Sequence, residues 1–431
     1  MVTEMKIVEG FKKAQPLLTR EIPQYGAAPE AAVKRIIAQV RAKGDKALFA
    51  YTKELDGVEL KSLEVSGSEI SDAYEKIDKK LIAALKLAAA RIERFHLLCQ
   101  QRLEPGFLMQ GLGRLIRPLN RVGIYVPGGS AAYPSTVLMT AIPARVAGVK
   151  EVLVVTPPKK NGAIPAPTLV AADIAGANRI FKLGGAQAIA ALAFGTESVP
   201  KVDKICGPGN VFVVAAKRMV FGTVDIESLP GPSEIIIVAD DTADASFCAA
   251  DLIAQAEHDP LASAILITTS SKLAGDVDRE IKKQMAKLAR KTIAAEALKS
   301  GGMIVVVKSL DEAIRLVNIY APEHVSLMLR NAGSYAPKIE NAGCIFVGDT
   351  PVALGDYVAG PSHVLPTGGS ARFSSPLGIE DFLKITNIIG LDENDGKELG
   401  QAAVTIAEAE GLEGHAQTIR LRLKGGRKKT K

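Results

Sequence analysis

Glu234-Ile235-Ile236-Ile237-Val238 places four β-branched residues in a row behind a single acid, leaving no polar side chain to turn toward water. A strand exposed on one face alternates apolar and polar residues. An unbroken apolar run is what a strand buried on both faces looks like, as in the interior of a parallel sheet. Similar short runs lie at 121–126, 151–155, 179–183, 264–268, 303–307 and 344–347, separated by longer alanine-rich stretches of helical pattern. That alternation predicts βαβ units, and hence an α/β fold built on parallel sheets. Upstream, the first hundred or so residues read as helices, notably 31–55 and 71–95, and beyond Ser374 the chain reads as helical again. An echo between the runs beginning at Glu151 and Ser263 hints at two similar halves, though any two buried parallel strands look alike.

With 431 residues, 47% of them hydrophobic and 23% charged, the chain has the material for two or three domains. The net charge of +6 is spread thinly except in the tail 424–431, which reads as a solvated end and not as a nucleic-acid arm. Cys99, Cys206, Cys248 and Cys344 form no closely spaced pair, so neither a thiolate metal knuckle nor a disulfide framework is expected. Met1-Val2-Thr3-Glu4-Met5-Lys6-Ile7 shows no basic stretch leading into an apolar core, so no signal sequence is expected, and no run of about 18 apolar residues occurs. The expectation is a cytoplasmic protein with no membrane and no nucleic-acid partner.

The turns Pro127-Gly128-Gly129-Ser130, Gly184-Gly185-Ala186-Gln187 and Gly207-Pro208-Gly209-Asn210 follow expected strands. Turns of that composition let backbone N–H groups approach a phosphate, but they also serve as plain tight turns. No G-x-G-x-x-G fingerprint is present, so the architecture permits a dinucleotide without demonstrating one.

Of five histidines, His258, His324, His363 and His415 stand beside acids, prolines or glycines, whereas His96 sits alone on a helical face and reads as a packing residue. In 244–258, Asp251, Gln255 and His258 follow at helical spacings of four and three, and Pro260 ends the helix so that His258 falls in its last turn. Such a histidine can bind a metal, or can simply complement the helix dipole. Ser309 and Glu312 form a capping pattern, and Pro322 then breaks the helix ahead of a strand at 325–329. Glu323 and His324 therefore occupy a helix-to-strand junction. Adjacent residues of a regular strand point opposite ways, so the two can share one site only if the backbone turns there. Gly355-Asp356-Tyr357 and Glu410-Gly411-Leu412-Glu413-Gly414-His415 put acids and a histidine on glycine-rich turns, where ligand and surface loop look the same.

Over nearly its whole length the chain resembles the histidinol dehydrogenase family. The resemblance runs from Arg121-Val122-Gly123-Ile124-Tyr125-Val126-Pro127 to Gly414-His415, through Gly184-Gly185-Ala186-Gln187, Gly207-Pro208-Gly209-Asn210, Gly231-Pro232-Ser233-Glu234, Gln255-Ala256-Glu257-His258, Pro322-Glu323-His324 and Gly355-Asp356-Tyr357. It implies two incomplete Rossmann-like domains with small helical terminal segments. They would be arranged as an arm 1–20, a main domain of 21–124 with 233–377, an inserted domain 125–232, and a segment 378–431 that completes the partner's active site in a homodimer. It implies one zinc per subunit on Gln255, His258, Asp356 and His415, a set of oxygen and nitrogen donors suited to an exchangeable, substrate-holding metal. Glu323 and His324 would be the catalytic pair. Substrate contacts would be Ser233, Gln255, His258, Glu323, His324, Asp356, Glu410 and His415, and NAD contacts Tyr125, Gln187 and Asn210. His363 would play a supporting part. Four-electron oxidation of L-histidinol through the aldehyde to L-histidine would consume two NAD.

Three other readings compete. Cys206 could be the nucleophile of an aldehyde dehydrogenase, Glu323 could activate a metal-bound water in a hydrolase, or the chain could be a non-catalytic NAD- or metal-binding module.

Overall fold

Alternation along the strand Glu234–Ala239 divides its side chains between two apolar layers. Ile235 and Ile237 pack with Leu252 and Ile253, while Ile236 and Val238 pack with Ala14, Leu18, Ile314 and Val317. All four strand residues are fully buried, each contributing roughly 1.5–3 kcal/mol of apolar burial. The computed structural model describes residues 5–20, 27–128 and 132–424. Gly129 and Ser130 of the first glycine-rich turn, residues 1–4 and 21–26, and the basic tail from 425 onward lie outside them.

One compact unit spans 1–101 and 119–382, and a second spans 102–118 and 383–431. The first holds two parallel sheets. The larger has six strands in the order Lys6–Glu9, Gly302–Val306, Ser263–Thr268, Glu234–Ala239, His324–Met328 and Cys344–Val347. The smaller has five, in the order Arg179–Lys182, Glu151–Thr156, Arg121–Tyr125, Lys204–Cys206 and Asp225–Ile226. In each sheet the chain builds outward on one side of a central strand and then returns to build on the other. This creates a switch point beside Glu234–Ala239 in the first sheet and beside Arg121–Tyr125 in the second. The architecture is the expected α/β one, with helical C-terminal segments.

Local detail departs from the sequence reading in three places. The helix expected over 31–55 is cut at Gly44, whose φ of +53° favours glycine, and continues as Asp45–Tyr51. The helix expected over 71–95 is two, Gly67–Glu75 and Lys79–Arg102, because Ser66 and Glu69 cap the first while the Asp78 carboxylate accepts from Lys80 N at 2.8 Å to start the second. Downstream of Ser374 the chain is not helical throughout. Leu383–Ile389 forms an antiparallel sheet with Leu112–Pro118 and Phe107–Met109 in the second unit, before the helices Glu393–Ala409 and Glu413–Lys424. The β-branched residues Ile385, Thr386, Ile388 and Ile389 favour that strand. Among the described residues no helix is long and apolar enough to cross a membrane.

Candidate active site

Glu323 and His324 do meet. The helix Leu310–Tyr320 ends on Ala321, which adopts a left-handed conformation at φ +54° and turns the chain into Pro322. A non-glycine residue in that region is strained, and strain of this kind collects where a site dictates the backbone. Because Glu323 lies just ahead of the strand, side-chain alternation does not separate it from His324. Glu323 Oε2 and His324 Nδ1 are 3.7 Å apart.

Both side chains are held by one residue of the neighbouring strand. Glu234 N–H donates to Glu323 Oε2 at 2.9 Å, and the Glu234 carbonyl accepts from His324 Nδ1 at 3.2 Å. With Nδ1 so occupied, Nε2 is left facing Asp356 Oδ1 at 3.5 Å. Asp356 belongs to the short helix Val352–Tyr357, and its own carbonyl accepts from His363 Nδ1 at 2.7 Å.

Burial sets the electrostatics. It lifts the Glu323 carboxyl to about 7 against the opposing charge of His324. On His324 burial pulls downward, but the carboxylates of Glu323 and Asp356 outweigh it and raise the imidazole to about 9. Burial opposes ionisation of Asp356 too, yet the hydrogen bond and charge of His324, with the charges of His363 and His258, hold it below the usual carboxylate range. Burial draws His363 down.

The helix Ala245–Ala256 starts after the carboxyl end of Glu234–Ala239 and returns to the amino end of the next strand, so buried Gln255 and exposed His258 close on the edge where His324 begins its strand. Ser233 immediately precedes Glu234 on the same edge. In parallel-sheet proteins ligands usually gather at the carboxyl edge; here the acid–base pair sits at the amino edge, where the returning helices end. Glu410, capping the helix Glu393–Ala409, and His415, in Glu413–Lys424, belong to the second unit and are exposed. Among the described residues no three His, Cys, Asp or Glu side chains already form a metal-holding group. The donors nevertheless suit a metal such as zinc. Asp356 stays ionised, Gln255 adds a neutral amide oxygen, and the nearby thiols stay protonated, burial pushing Cys344 up to about 11 and Cys248 up to about 12.

A second cluster lies at the carboxyl edge of the five-stranded sheet. Tyr125 ends its strand, and its buried hydroxyl accepts from Gly185 N at 3.2 Å. Gln187 is 1% exposed and its Oε1 has no hydrogen-bond partner. Asn210 caps the helix Val211–Val220 by accepting from the N–H groups of Phe212 and Val213. Beneath that turn, buried Lys217 donates to the Gly207 carbonyl at 3.2 Å and pairs at 2.7 Å with Glu227, which accepts from Gly207 N at 2.8 Å. Tyr125 and Gly207 thus flank the sheet's switch point, where open α/β sheets offer a crevice.

Cys206 is completely buried, and that burial, reinforced by the charge of Glu227, pushes its thiol well above the usual range. A thiol that stays protonated is a poor nucleophile, which argues against the cysteine-dependent reading. His96 is packed, with neither ring nitrogen hydrogen-bonded, and burial pulls it down to about 4, so it stays neutral. Sequence reasoning does not single out Glu234 as part of the site. The signal available was a carboxylate heading an otherwise apolar strand, since a buried charge demands a partner.

Removing a hydroxyl proton while hydride leaves is a task that a buried acid–base pair suits, and carried on parallel α/β sheets such a pair points to the class of the α/β oxidoreductases. Comparison with known proteins agrees. A model of the histidinol dehydrogenase family matches residues 23–423, and the chain belongs to that family. Histidinol dehydrogenase of Dehalococcoides mccartyi (strain CBDB1) is 53% identical, over 97% of this chain and 100% of that protein. The Clostridium acetobutylicum enzyme of the same name is 51% identical over 91% of this chain and 92% of its own. The crystal structure of histidinol dehydrogenase from Elizabethkingia anophelis matches at a TM-score of 0.92 with 36% identity, covering 97% of this chain and 98% of that one.

Proposed function

We propose that this protein oxidises L-histidinol through L-histidinal to L-histidine in the cytoplasm, passing two hydrides in turn to two NAD. The observation that carries the reading is the convergence of Glu323 and His324 on the peptide groups of Glu234. His324 in its unprotonated form, a fraction that grows as pH rises toward 9, accepts the hydroxyl proton as the first hydride departs. Glu323, lifted to about 7, is poised near neutrality to take a proton from the water that hydrates the aldehyde. His324 takes a hydroxyl proton from that hydrate as the second hydride leaves for NAD, and the product is the acid. Ser233, Gln255, His258, Asp356, Glu410 and His415 surround and orient the substrate. Zinc, held by Gln255, His258, Asp356 and His415, would supply an anchor for the substrate's nitrogens and take up the charge of Asp356. The segment 125–232 carries the NAD contacts Tyr125, Gln187 and Asn210, and 21–124 with 233–377 carries substrate and metal. NADH formation from L-histidinol tests the reading, and turnover of a substrate by hydrolysis without NAD would replace it.

Gly207 sets the cofactor turn. Its φ is +117°, and a Cβ there would stand 2.0 Å from the Tyr125 carbonyl oxygen. Gly207→Ala is expected to cost ~2 kcal/mol or more of stability and to weaken NAD binding. Thermal denaturation with and without NAD measures both, and a wild-type melting curve with wild-type NAD stabilisation would remove Gly207 from the site.

We further propose that the active site is shared across a homodimer, because Glu410 and His415 belong to a different compact unit from Gln255 and His258. His258→Ala and His415→Ala chains, each inactive, are refolded as a mixture. If sites are shared, each hybrid dimer has one site with both lesions and one with neither, so random pairing restores roughly a quarter of wild-type activity. Hybrids confirmed by mass but without activity would place each site within one chain.

A further inference from the structure

Glu234 serves the site with its main chain, so whatever fixes its side chain fixes the peptide groups that hold Glu323 and His324. That carboxylate is 4% exposed and receives three contacts. Arg20 Nη1 donates to Oε1 at 2.6 Å, Arg20 Nη2 lies 2.6 Å from Oε2, and Gly368 N donates to Oε1 at 3.1 Å. Arg20 is itself anchored. Its Nε donates to the Tyr320 carbonyl at 2.8 Å, and its guanidinium stacks 3.7 Å above the Tyr320 ring. Tyr320 is the last residue of the helix leading through strained Ala321 into Pro322, Glu323 and His324.

One guanidinium therefore grips both sides of the acid–base pair. Through Glu234 it holds the strand whose peptide groups hydrogen-bond the two side chains, and through Tyr320 it holds the helix end from which those side chains emerge. We infer that Arg20 and Glu234 are positioning residues for the catalytic pair, setting the register between the heads of the strands Glu234–Ala239 and His324–Met328. The inference rests on reading Glu323 and His324 as that pair. A largely buried ion pair contributes little stability compared with apolar residues of the same volume, but it imposes one geometry, and Arg20 imposes it through its contacts to both Glu234 and Tyr320. Neither side chain contacts the catalytic pair directly; Glu234 meets it only through its peptide groups. The rate depends on them because small displacements of a proton-transferring group are costly: a misplacement of about 1 Å can lower turnover on the order of a hundredfold.

The test uses the full chain loaded with zinc. Arg20→Met removes the fork. Arg20→Met combined with Glu234→Gln removes it without stranding a buried charge, and Arg20→Lys keeps the charge while losing the contact to Tyr320. In the first two, kcat is expected to fall about tenfold or more for both histidinol and histidinal, with KM for substrate and NAD within about twofold of wild type. Arg20→Lys should recover part of kcat. Circular dichroism and thermal melting establish which variants are folded, and if Arg20→Met is not, the charge-neutral double variant and Arg20→Lys decide. Folded variants with wild-type kcat, or a loss confined to KM, overturn the inference. Glu323→Gln and His324→Asn, run in parallel, separate the two ideas. If those keep full activity, the catalytic pair itself is misassigned. If they lose activity while the Arg20 variants do not, only the positioning role fails.

Discussion

Glu323→Gln is expected to slow oxidation of added L-histidinal by roughly a hundredfold or more, the usual size of a lost general base, while zinc content stays unchanged. The amide can still accept from Glu234 N, so the geometry survives while the proton acceptor is gone. His324→Asn is expected to slow both half-reactions by a comparable factor, because its imidazole takes up the hydroxyl proton at each hydride transfer. The pH profile gives a second reading. His324 works as a base only when unprotonated, and Glu323 is foremost among the charges that raise its pKa. Removing that charge lowers the pKa, so whatever activity Glu323→Gln retains should have its acid limb moved to lower pH. Stopped-flow rates with each substrate from pH 5 to 10 measure this. Near-wild-type rates in both variants would show that the catalytic pair lies elsewhere.

Exhaustive chelation is expected to abolish turnover without unfolding the first unit. That unit is held by two buried parallel sheets whose strands owe nothing to a metal, so its circular dichroism and cooperative melting should persist. A structural zinc behaves oppositely, because its binding energy is folding energy. Added zinc should restore the rate. Full activity in a rigorously metal-free preparation would remove zinc from the mechanism, and loss of the folded spectrum on chelation would make it structural.

The fold was legible wherever burial was complete. Glu234–Ala239, Glu151–Thr156 and Ser263–Thr268 are apolar on both faces, and nothing but a covered parallel strand accommodates that. Lys6–Glu9 and Lys204–Cys206 are too short to carry a period, and Leu383–Ile389 is largely exposed with polar residues interspersed, so its pattern is weak. Gly44 resembles an ordinary helix interruption until its positive φ is known. At the site, the rare histidines beside acids were visible as candidates, and the family resemblance organised them into roles. The support around them was not visible. Arg20 and Glu234 are 214 positions apart, and Glu234 acts through its N–H and C=O, which every non-proline residue carries. The turn that brings Glu323 beside His324 depends on Ala321, a residue type that gives no hint of a left-handed conformation.

The most direct test of the account is the stoichiometry of the reaction. The zinc-loaded protein is given limiting L-histidinol and excess NAD, and the NADH formed is counted against the product identified by mass. Oxidation of an alcohol to an acid without release of the aldehyde requires two NADH for each histidinol consumed, with L-histidine as the product and no free histidinal accumulating. One NADH with histidinal released, or consumption of histidinol without NADH, would contradict it.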